Sequence, residues 1–336
     1  MKRKIHSSSR RKTPWDFFEE LTPSQNYIKS EYLTHYQQKH PSMCGSHEAE
    51  LLNSYHLESC PICSSSSIHK DGKTKNGIQR YRCKDCGARF TITTATIFED
   101  HKLPIGEWIE YCLNLFHHVS LSNDSRNNKN AMNTSVYWLH KLFLIFKNYQ
   151  DTITLQGTIY LDETYYTVAA KDVKRKHNGQ KLRGISRNKY CIATAYDGKN
   201  TICILCGKGK PSGSRIKKVF LSHIMPGSLL IHDGENSHTE LIESLGLKSE
   251  IHTTAETHDC KDEDNPLAPI NHIHFLLKHF LRSHSSFKRE DFQGYLDLFA
   301  FIINPPDNQL EKVDILLNLS LKSNDSLRYR EYFRIK

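Results

Sequence analysis

The sequence predicts an α/β protein whose largest part is a mixed sheet with flanking helices, preceded by a small cysteine-rich module and a helical segment. Two Cys-x-x-Cys pairs near the N-terminus are separated by nineteen residues. From Leu103 onward, apolar residues recur at the spacing of amphipathic helices. After residue 157, short β-branched and aromatic runs alternate with helical patterns, which is the order that builds an α/β sheet.

The bulk composition excludes some classes of protein. No run of 18 apolar residues occurs, so no transmembrane helix and no membrane partner are expected. The basic N-terminus, MKRKIHSSSRRKTPW, has no apolar stretch behind it and is not typical of a secretory signal. We therefore expect a cytoplasmic, nucleoid-associated protein of a bacterium, in a reducing compartment where paired cysteines bind zinc more often than they form disulfides.

Basic residues are clustered within a net charge of +9. Residues 60–90 carry seven Lys or Arg against two Asp, and residues 170–189 carry eight against one. Such clusters favour contact with phosphates, although a solvated basic face is the alternative. The candidate DNA-contacting residues are Lys73, Lys75, Arg80, Arg82, Lys174, Arg175 and Lys176.

The polar residues 1–50 predict a flexible basic arm, with at most a short helix near residues 15–21. The arm is interpreted either as a non-specific DNA contact or as plain disorder.

The cysteine-rich module, CPIC from Cys60 and CKDC from Cys83, has the spacing of a four-cysteine zinc site. Turns are predicted at Asp71-Gly72 and Asn76-Gly77, with strands over residues 78–82 and 88–98. We predict a zinc ribbon in which Cys60, Cys63, Cys83 and Cys86 hold one structural Zn²⁺. Four thiolates leave no open coordination position, so this zinc is not expected to be catalytic.

Two helices follow the ribbon. The first, from Pro104, places Ile105, Trp108, Ile109, Cys112, Leu113 and Phe116 on one face. After a polar stretch, SNDSRNNKN, the second helix is predicted to start with Thr134 or Ser135 as its N-cap. The pair fits either a helix-turn-helix that enters the major groove or a plain helical hairpin.

The first strand of the sheet, in GTIYLDETYYT, contains Asp162. A carboxylate flanked by Ile159 and Leu161 is costly to bury unless it is paired or binds a metal, and a solvated strand end is the alternative. Two more strands, a helix and a fourth strand ending at Asp233 follow, then a helix, a strand and a helix. This is the layout of an RNase H-like fold, in which the strands of Asp162 and Asp233 are neighbours and the two carboxylates can bind metal together.

The motifs CPIC...YRCKDCGARFT, LDETY, IHDGENSH and NHIHFLLK, in this order, resemble the insertion-sequence transposases of the ISXO type over about residues 58–305. The resemblance implies a DDE-class enzyme with Asp162 and Asp233 as catalytic acids, Asn271 in the place of the third acid, and Lys278 directed at a DNA phosphate. It also implies two Mg²⁺ or Mn²⁺ ions per active site, held by Asp162, Asp233 and Asn271.

Asn271 departs from the usual Glu, although some members of the family are similar in having Asn there. A carboxamide oxygen is a weaker ligand for a hard cation than a carboxylate. His274 faces the same cleft in one interpretation, but a satisfied or surface histidine is the preferred one. Glu163 points to the opposite face of the strand from Asp162 and is not assigned to the metal.

The expected function is a DNA transposase that binds terminal inverted repeats and target DNA, cleaves DNA and joins strands, as a homo-oligomer assembled on DNA. The alternatives are a catalytically impaired DNA-binding descendant and a metal nuclease of the same fold. The expected domains are an arm (1–50), a ribbon (51–101), a helical DNA-binding segment (102–150), a catalytic domain (151–306) and a C-terminal tail (307–336).

Overall fold

The computed structural model describes residues 22–24, 26, 27, 30, 46–101, 103–128, 130–257, 260, 261, 264–284 and 288–334. Most of the predicted arm, including its short helix near residues 15–21, lies outside the described residues. The described residues form two compact units, one within 1–141 and 317–336 and the other within 142–316.

The first unit opens with helix α1, Ser46–Ser54, and a small antiparallel sheet of the predicted ribbon. Its strands are β1, Ile68–Lys73, β2, Gln79–Cys83, and β3, Arg89–Thr91, with β2 in the centre. Its small core consists of Cys60, Tyr81, Cys83 and Phe90. So small a core leaves much of the stabilisation of the module to a bound metal.

Two predictions within the ribbon were wrong. Asp71-Gly72 is not a turn but an irregularity inside β1, where the register with β2 shifts between Lys70 and Lys73 and Gly72 adopts a φ of +70°. The strand expected over residues 88–98 ends at Thr91. Beyond it, threonine hydroxyls bond nearby backbone groups, as Thr94 Oγ1 does with the Thr91 amide, and this competes with strand pairing.

The helical segment contains three helices rather than two: α2, Ile105–Phe116, α3, Leu121–Asn127, and α4, Met132–Phe146. The stretch expected as a polar turn forms α3 around Asp124, which is fully buried. The Asp124 carboxylate accepts hydrogen bonds from Asn114, Asn128 and Ser135 at 2.9, 2.8 and 2.9 Å. Three donors replace the water that this carboxylate loses, so a polar sequence folds into the interior.

The predicted N-cap of the second long helix was also wrong, because α4 begins at Met132. The Ser135 hydroxyl bonds Asp124 instead of capping the helix. The predicted apolar face of α2 is confirmed at Ile105, Trp108 and Cys112, which are buried.

The second unit contains a five-stranded mixed sheet. Its strands are β4, Thr158–Thr167, β5, Lys189–Tyr196, β6, Thr201–Lys208, β7, Leu229–His232, and β8, Lys248–Ile251. The order across the sheet is β6-β5-β4-β7-β8, in which β5 is antiparallel to both of its neighbours, β4 and β6, and β4, β7 and β8 are parallel. The predicted fold class is confirmed, and β4 and β7 are neighbours as expected.

The helices after β6 are α5, Gly213–Phe220, α6, Thr239–Leu245, α7, Thr254–Thr257, α8, Ala268–Ser283, α9, Phe292–Ile303, α10, Gln309–Lys322, and α11, Tyr329–Arg334. Ile159 and Leu161 of β4 belong to the same buried core cluster as Ile216 and Phe220 of α5. The stretch expected as a tail therefore contains α10 and α11.

Among the described residues, no helix has the length and apolar character needed to cross a membrane.

Candidate active site

Asp162 lies in the middle of β4, and Asp233 directly follows the last residue of the neighbouring parallel strand β7. Tyr160 of β4 pairs with Ile231 of β7, so Asp162 and Asp233 each follow that pair by two residues. Burial, and then the negative charge of Asp233, raise the pKa of Asp162 to about 7. The sheet thus brings together the two carboxylates that the sequence analysis singled out, at the edge where α/β sheets place their sites.

One oxygen of each carboxylate is engaged by the backbone. The amide of Glu163 donates to Asp162 Oδ1 at 2.7 Å, and the amide of Glu235 donates to Asp233 Oδ1 at 3.0 Å. The second oxygen of each group makes no hydrogen bond among the described residues, and Asp162 is only partly exposed, at 25% of its side chain. Carboxylates on neighbouring strands fit the hard cations Mg²⁺ and Mn²⁺, whose positive charge offsets the repulsion between them.

Helix α8 carries the three other residues of interest near these strands. His274 is 5% exposed, and its Nδ1 lies 3.6 Å from Asp162 Oδ2. Burial, with a smaller effect from the positive charge of Lys278, lowers the pKa of His274 to about 3, so the imidazole is neutral. The preferred interpretation of His274 as a satisfied or surface histidine was wrong: its Nε2 is buried and makes no hydrogen bond among the described residues.

Asn271 and Lys278 lie on the exposed side of α8. The separation of seven residues places them on one face of the helix, as predicted. His274, three residues after Asn271, lies between that face and the buried face. The helix therefore presents a neutral imidazole to Asp162 and an amide and an ammonium to the solvent beside it.

A row of hydrogen-bonded side chains lies next to Asp233 and consists of Glu163, His238, His232 and Ser249. Glu163 Oε1 is 3.1 Å from His238 Nε2, and His238 Nδ1 is 2.9 Å from His232 Nδ1. His232 Nε2 in turn lies 2.9 Å from the Ser249 hydroxyl. The side chains of His238 and Glu163 are 0% and 4% exposed. Glu163 points away from Asp162, as predicted, and on the other side of β4 it contacts His238.

The hydrogen bonds show which ring nitrogens of His232 and His238 carry a proton. The Gly234 amide donates to His232 Nδ1 at 3.2 Å, so this nitrogen is an acceptor and His232 Nε2 carries the proton given to Ser249. Burial lowers the pKa of His232 to about 4, which agrees with a neutral ring. His238 must then donate from Nδ1 to His232, and its Nε2 forms a hydrogen bond with Glu163.

His232 and His238 were not predicted from the sequence, although they lie on either side of Asp233 in the motif IHDGENSH. Two histidines spaced around a carboxylate at a strand end were the available signal. His232, Asp233 and His238 have potential ligand atoms within 4.8 Å of one another. The amide of Gly234 already occupies the acceptor nitrogen of His232, so hydrogen bonding accounts for this geometry without a metal.

The four cysteines of the ribbon converge on one point. Their Sγ atoms lie within 4.8 Å of one another, with Cys60 to Cys86 at 3.7 Å and Cys63 to Cys83 at 3.6 Å. Tetrahedral zinc with Zn–S bonds of about 2.3 Å requires sulfur separations of about 3.8 Å. The thiolates therefore fit a structural Zn²⁺. Cys203 and Cys206, expected as buried thiols, are 0% and 5% exposed.

All seven candidate DNA-contacting residues are exposed. In β2, Arg80 and Arg82 alternate with the buried Tyr81 and Cys83, so both guanidinium groups lie on the outer face of the ribbon. The loop of residues 170–189 is ordered by Asn188, whose side chain bonds the amide and the carbonyl of Lys174 at 2.7 and 2.8 Å. The two basic clusters lie in different compact units.

Comparison with known proteins first defines the N-terminal module. Residues 58–87 match the family described as the InsA N-terminal domain, a zinc ribbon. The chain is also 26% identical over 129 residues to an uncharacterized protein in the transposable element ISH50 of Halobacterium salinarum. That alignment covers 38% of this chain and 42% of the relative, less than half the length of each.

Among solved structures, the chain is similar to a pre-cleavage Mos1 transpososome, with 12% identity, a TM-score of 0.25, and coverage of 64% of this chain and 78% of that one. A Mos1 mariner paired end complex with Mn matches with 12% identity and a TM-score of 0.22, over 62% and 77% of the two chains. The sequence similarities are to a zinc ribbon of the InsA type at the N-terminus and to part of a protein in a transposable element.

Proposed function

We propose that the chain is a DNA transposase of an insertion sequence, which binds terminal inverted repeats and carries out metal-dependent DNA cleavage and strand transfer. The observation that carries the proposal is the pair Asp162 and Asp233, which each follow the Tyr160–Ile231 pair of β4 and β7 by two residues, with the charge of Asp233 raising the pKa of Asp162. The ribbon of the InsA type and the relative in ISH50 support the assignment to DNA.

In this proposal Asp162, Asp233 and Asn271 hold two Mg²⁺ or Mn²⁺ ions, and Lys278 binds a DNA phosphate. The ions supply activation of the attacking oxygen and stabilisation of the leaving oxygen. Lys278 would hold the DNA by a phosphate while water attacks the phosphodiester, which breaks the bond to the 3′ oxygen and leaves a free 3′-hydroxyl and a 5′-phosphate. That hydroxyl then attacks a phosphodiester of the target strand, so one bond forms for each bond broken.

The exposed basic residues support DNA contacts in both compact units. Lys73, Lys75, Arg80 and Arg82 of the ribbon are proposed to contact the terminal repeats, and Lys174, Arg175 and Lys176 the catalytic substrate. We further propose assembly as a homo-oligomer on DNA, association with the nucleoid, and the domain boundaries given by the sequence.

A second candidate function has one specific observation in its favour. Asn271 offers an amide oxygen where the family pattern has a carboxylate, and its side chain is exposed. A weaker third ligand suits a DNA-binding protein with impaired catalysis, or a nuclease that cuts without joining.

The decisive experiment incubates the purified full chain with a duplex carrying the ends of the element, a target plasmid, and Mg²⁺ or Mn²⁺. Joined products support the transposase, cutting alone supports the nuclease, and binding alone supports the impaired descendant. Asp162→Ala and Asp233→Ala should each abolish joining, whereas the exposed Glu243→Gln should leave it unchanged. Full strand transfer by Asp162→Ala would show that the site is assigned wrongly.

A further inference from the structure

The solvent-facing side of α8 combines an exposed aromatic ring with positive charges. Phe275 is 64% exposed, among the most exposed large apolar side chains of the described residues. At about 100° per residue, Asn271, Phe275, Lys278 and Arg282 fall within about 60° of one another around the helix axis. We call these four residues the outer face of α8, and all four are exposed.

The charge of this face is of one sign. No Asp or Glu occurs from Ala268 to His284, whereas Lys278 and Arg282 lie on the outer face itself. His272 stacks on Phe275 with ring centroids 6.4 Å apart and an interplanar angle of 22°. The face therefore offers a flat aromatic surface supported from one side and two cations next to it, the combination that binds a base and its phosphates.

The position of the face connects it with the candidate active site. His274, the residue before Phe275, reaches Asp162 at 3.6 Å from the inner side of the same helix. Asn271 lies on the outer face, between the directions of His274 and Phe275 around the helix axis. A nucleotide on Phe275 would thus lie immediately beside the phosphodiester that Asp162 and Asp233 act on.

We propose that Phe275, supported by His272, stacks on an unpaired nucleobase of the DNA next to the scissile phosphate, while Lys278 and Arg282 contact the adjoining phosphates. The inference rests on the proposed function, because it needs DNA at the Asp162 site. Stacking is tolerant of base identity, so this contact selects unpaired DNA over duplex and not one sequence over another.

The test uses the full chain and two probes without added Mg²⁺ or Mn²⁺: a short duplex with a single-stranded 3′ extension containing 2-aminopurine, and the same duplex with blunt ends. Phe275→Ala should weaken binding of the extended probe by about tenfold and abolish the change in 2-aminopurine fluorescence, with little effect on the blunt probe. Phe275→Trp should retain both signals.

Two control variants distinguish the loss of stacking from the loss of a positive charge and from the loss of any exposed apolar side chain. Lys278→Gln should weaken both probes and lower the slope of log affinity against log salt, whereas Phe275→Ala should leave the slope unchanged. Leu310→Ala, at a residue 69% exposed in another helix, should change neither signal. Thermal unfolding of each variant checks that it is folded.

An equal loss for both probes in a folded Phe275→Ala variant, or no loss, would overturn the stacking role while leaving the proposed function intact. Self-association of the wild type that Phe275→Ala removes, with unchanged DNA binding, would assign the face to a second copy of the chain instead. Failure of the wild type to bind either probe would overturn the proposed function together with the inference.

Discussion

His274 and Asp162 face each other with 3.6 Å between His274 Nδ1 and Asp162 Oδ2. The imidazole is neutral, because burial lowers its pKa to about 3, and it brings no positive charge to the carboxylate. Burial and the nearby Asp233 therefore raise the pKa of Asp162 more than the Glu163 amide and His238 lower it, and His274 adds no compensating charge. The ionised form of Asp162 is the state that a bound divalent cation would stabilise.

The first prediction concerns stability against pH. The pKa of Asp162 is raised in the folded state, so the unfolded chain loses this proton first, and the site loses stability as pH rises from about 4 to about 7. Asp162→Asn should therefore raise the free energy of unfolding by up to about 4 kcal/mol at pH 8 and by little at pH 4. Chemical unfolding at both pH values, without Mg²⁺ or Mn²⁺, measures this. An equal gain at both pH values would contradict it.

The second prediction concerns the third position of the site. Asn271→Glu replaces a neutral oxygen ligand with a carboxylate and should lower the Mg²⁺ concentration needed for half-maximal DNA cleavage, by about tenfold. Titration of activity with Mg²⁺ measures the change, and Asn271→Gln is the neutral control of similar size. An unchanged Mg²⁺ requirement in Asn271→Glu would remove Asn271 from the proposed ligand set.

The third prediction concerns the row of hydrogen-bonded side chains next to Asp233. Glu163→Gln removes the acceptor charge next to the fully buried His238, and it should destabilise the protein by about 1 to 3 kcal/mol. Because His232 accepts from the Gly234 amide, the turn that carries Asp233 should shift and Mn²⁺ affinity should fall.

Thermal unfolding and Mn²⁺ titration measure these two effects. The exposed Glu243→Gln is the matched control on the following helix. Wild-type stability in Glu163→Gln would mean that the Glu163 to His238 contact has no structural role.

The fourth prediction concerns zinc. The purified chain should contain about one zinc, and Cys83→Ser should lose it because three thiolates hold the ion far less tightly than four. Cys260→Ser, at an exposed cysteine outside the ribbon, should keep the full content. Elemental analysis measures the zinc content of the wild type and of both variants. A wild type without zinc would show that the ribbon is not a metal site.

The fifth prediction concerns the basic loop. Neutralising Lys174, Arg175 and Lys176 together should reduce the salt dependence of DNA binding, by about 0.9 in slope for each phosphate that the loop no longer neutralises. Binding measured over a range of salt concentrations tests this, with the exposed Lys199→Gln as control. A slope equal to that of the wild type would assign the loop to a solvated basic face.

Local patterns in the sequence predicted much of the fold. The spacing of the cysteine pairs predicted the ribbon, because a metal site on two tight turns needs those short intervals. Runs of β-branched, aromatic and aliphatic residues predicted β4 and β7, with Asp162 inside the first of these strands and Asp233 at the end of the second. The helical period predicted the buried face of α8, with Ile270, Leu277 and Phe280 inside.

The elements that the sequence did not predict are stabilised by residues that are distant along the chain. Helix α3 has a polar sequence, and it folds because Asp124 receives a hydrogen bond from Ser135, eleven residues away. The local periodicity of the sequence does not predict such a contact.

By itself, the sequence of this protein determined the zinc ribbon, the order of the strands and the pair of acidic residues, because each depends on intervals along the chain. The tertiary structure alone decided that His274 faces Asp162 and that Glu163 reaches His238, 75 residues away. These contacts depend on which helix packs on which face of the sheet. A long-range hydrogen bond between buried side chains leaves no periodic trace in the sequence, because its partners are brought together only when the whole core forms.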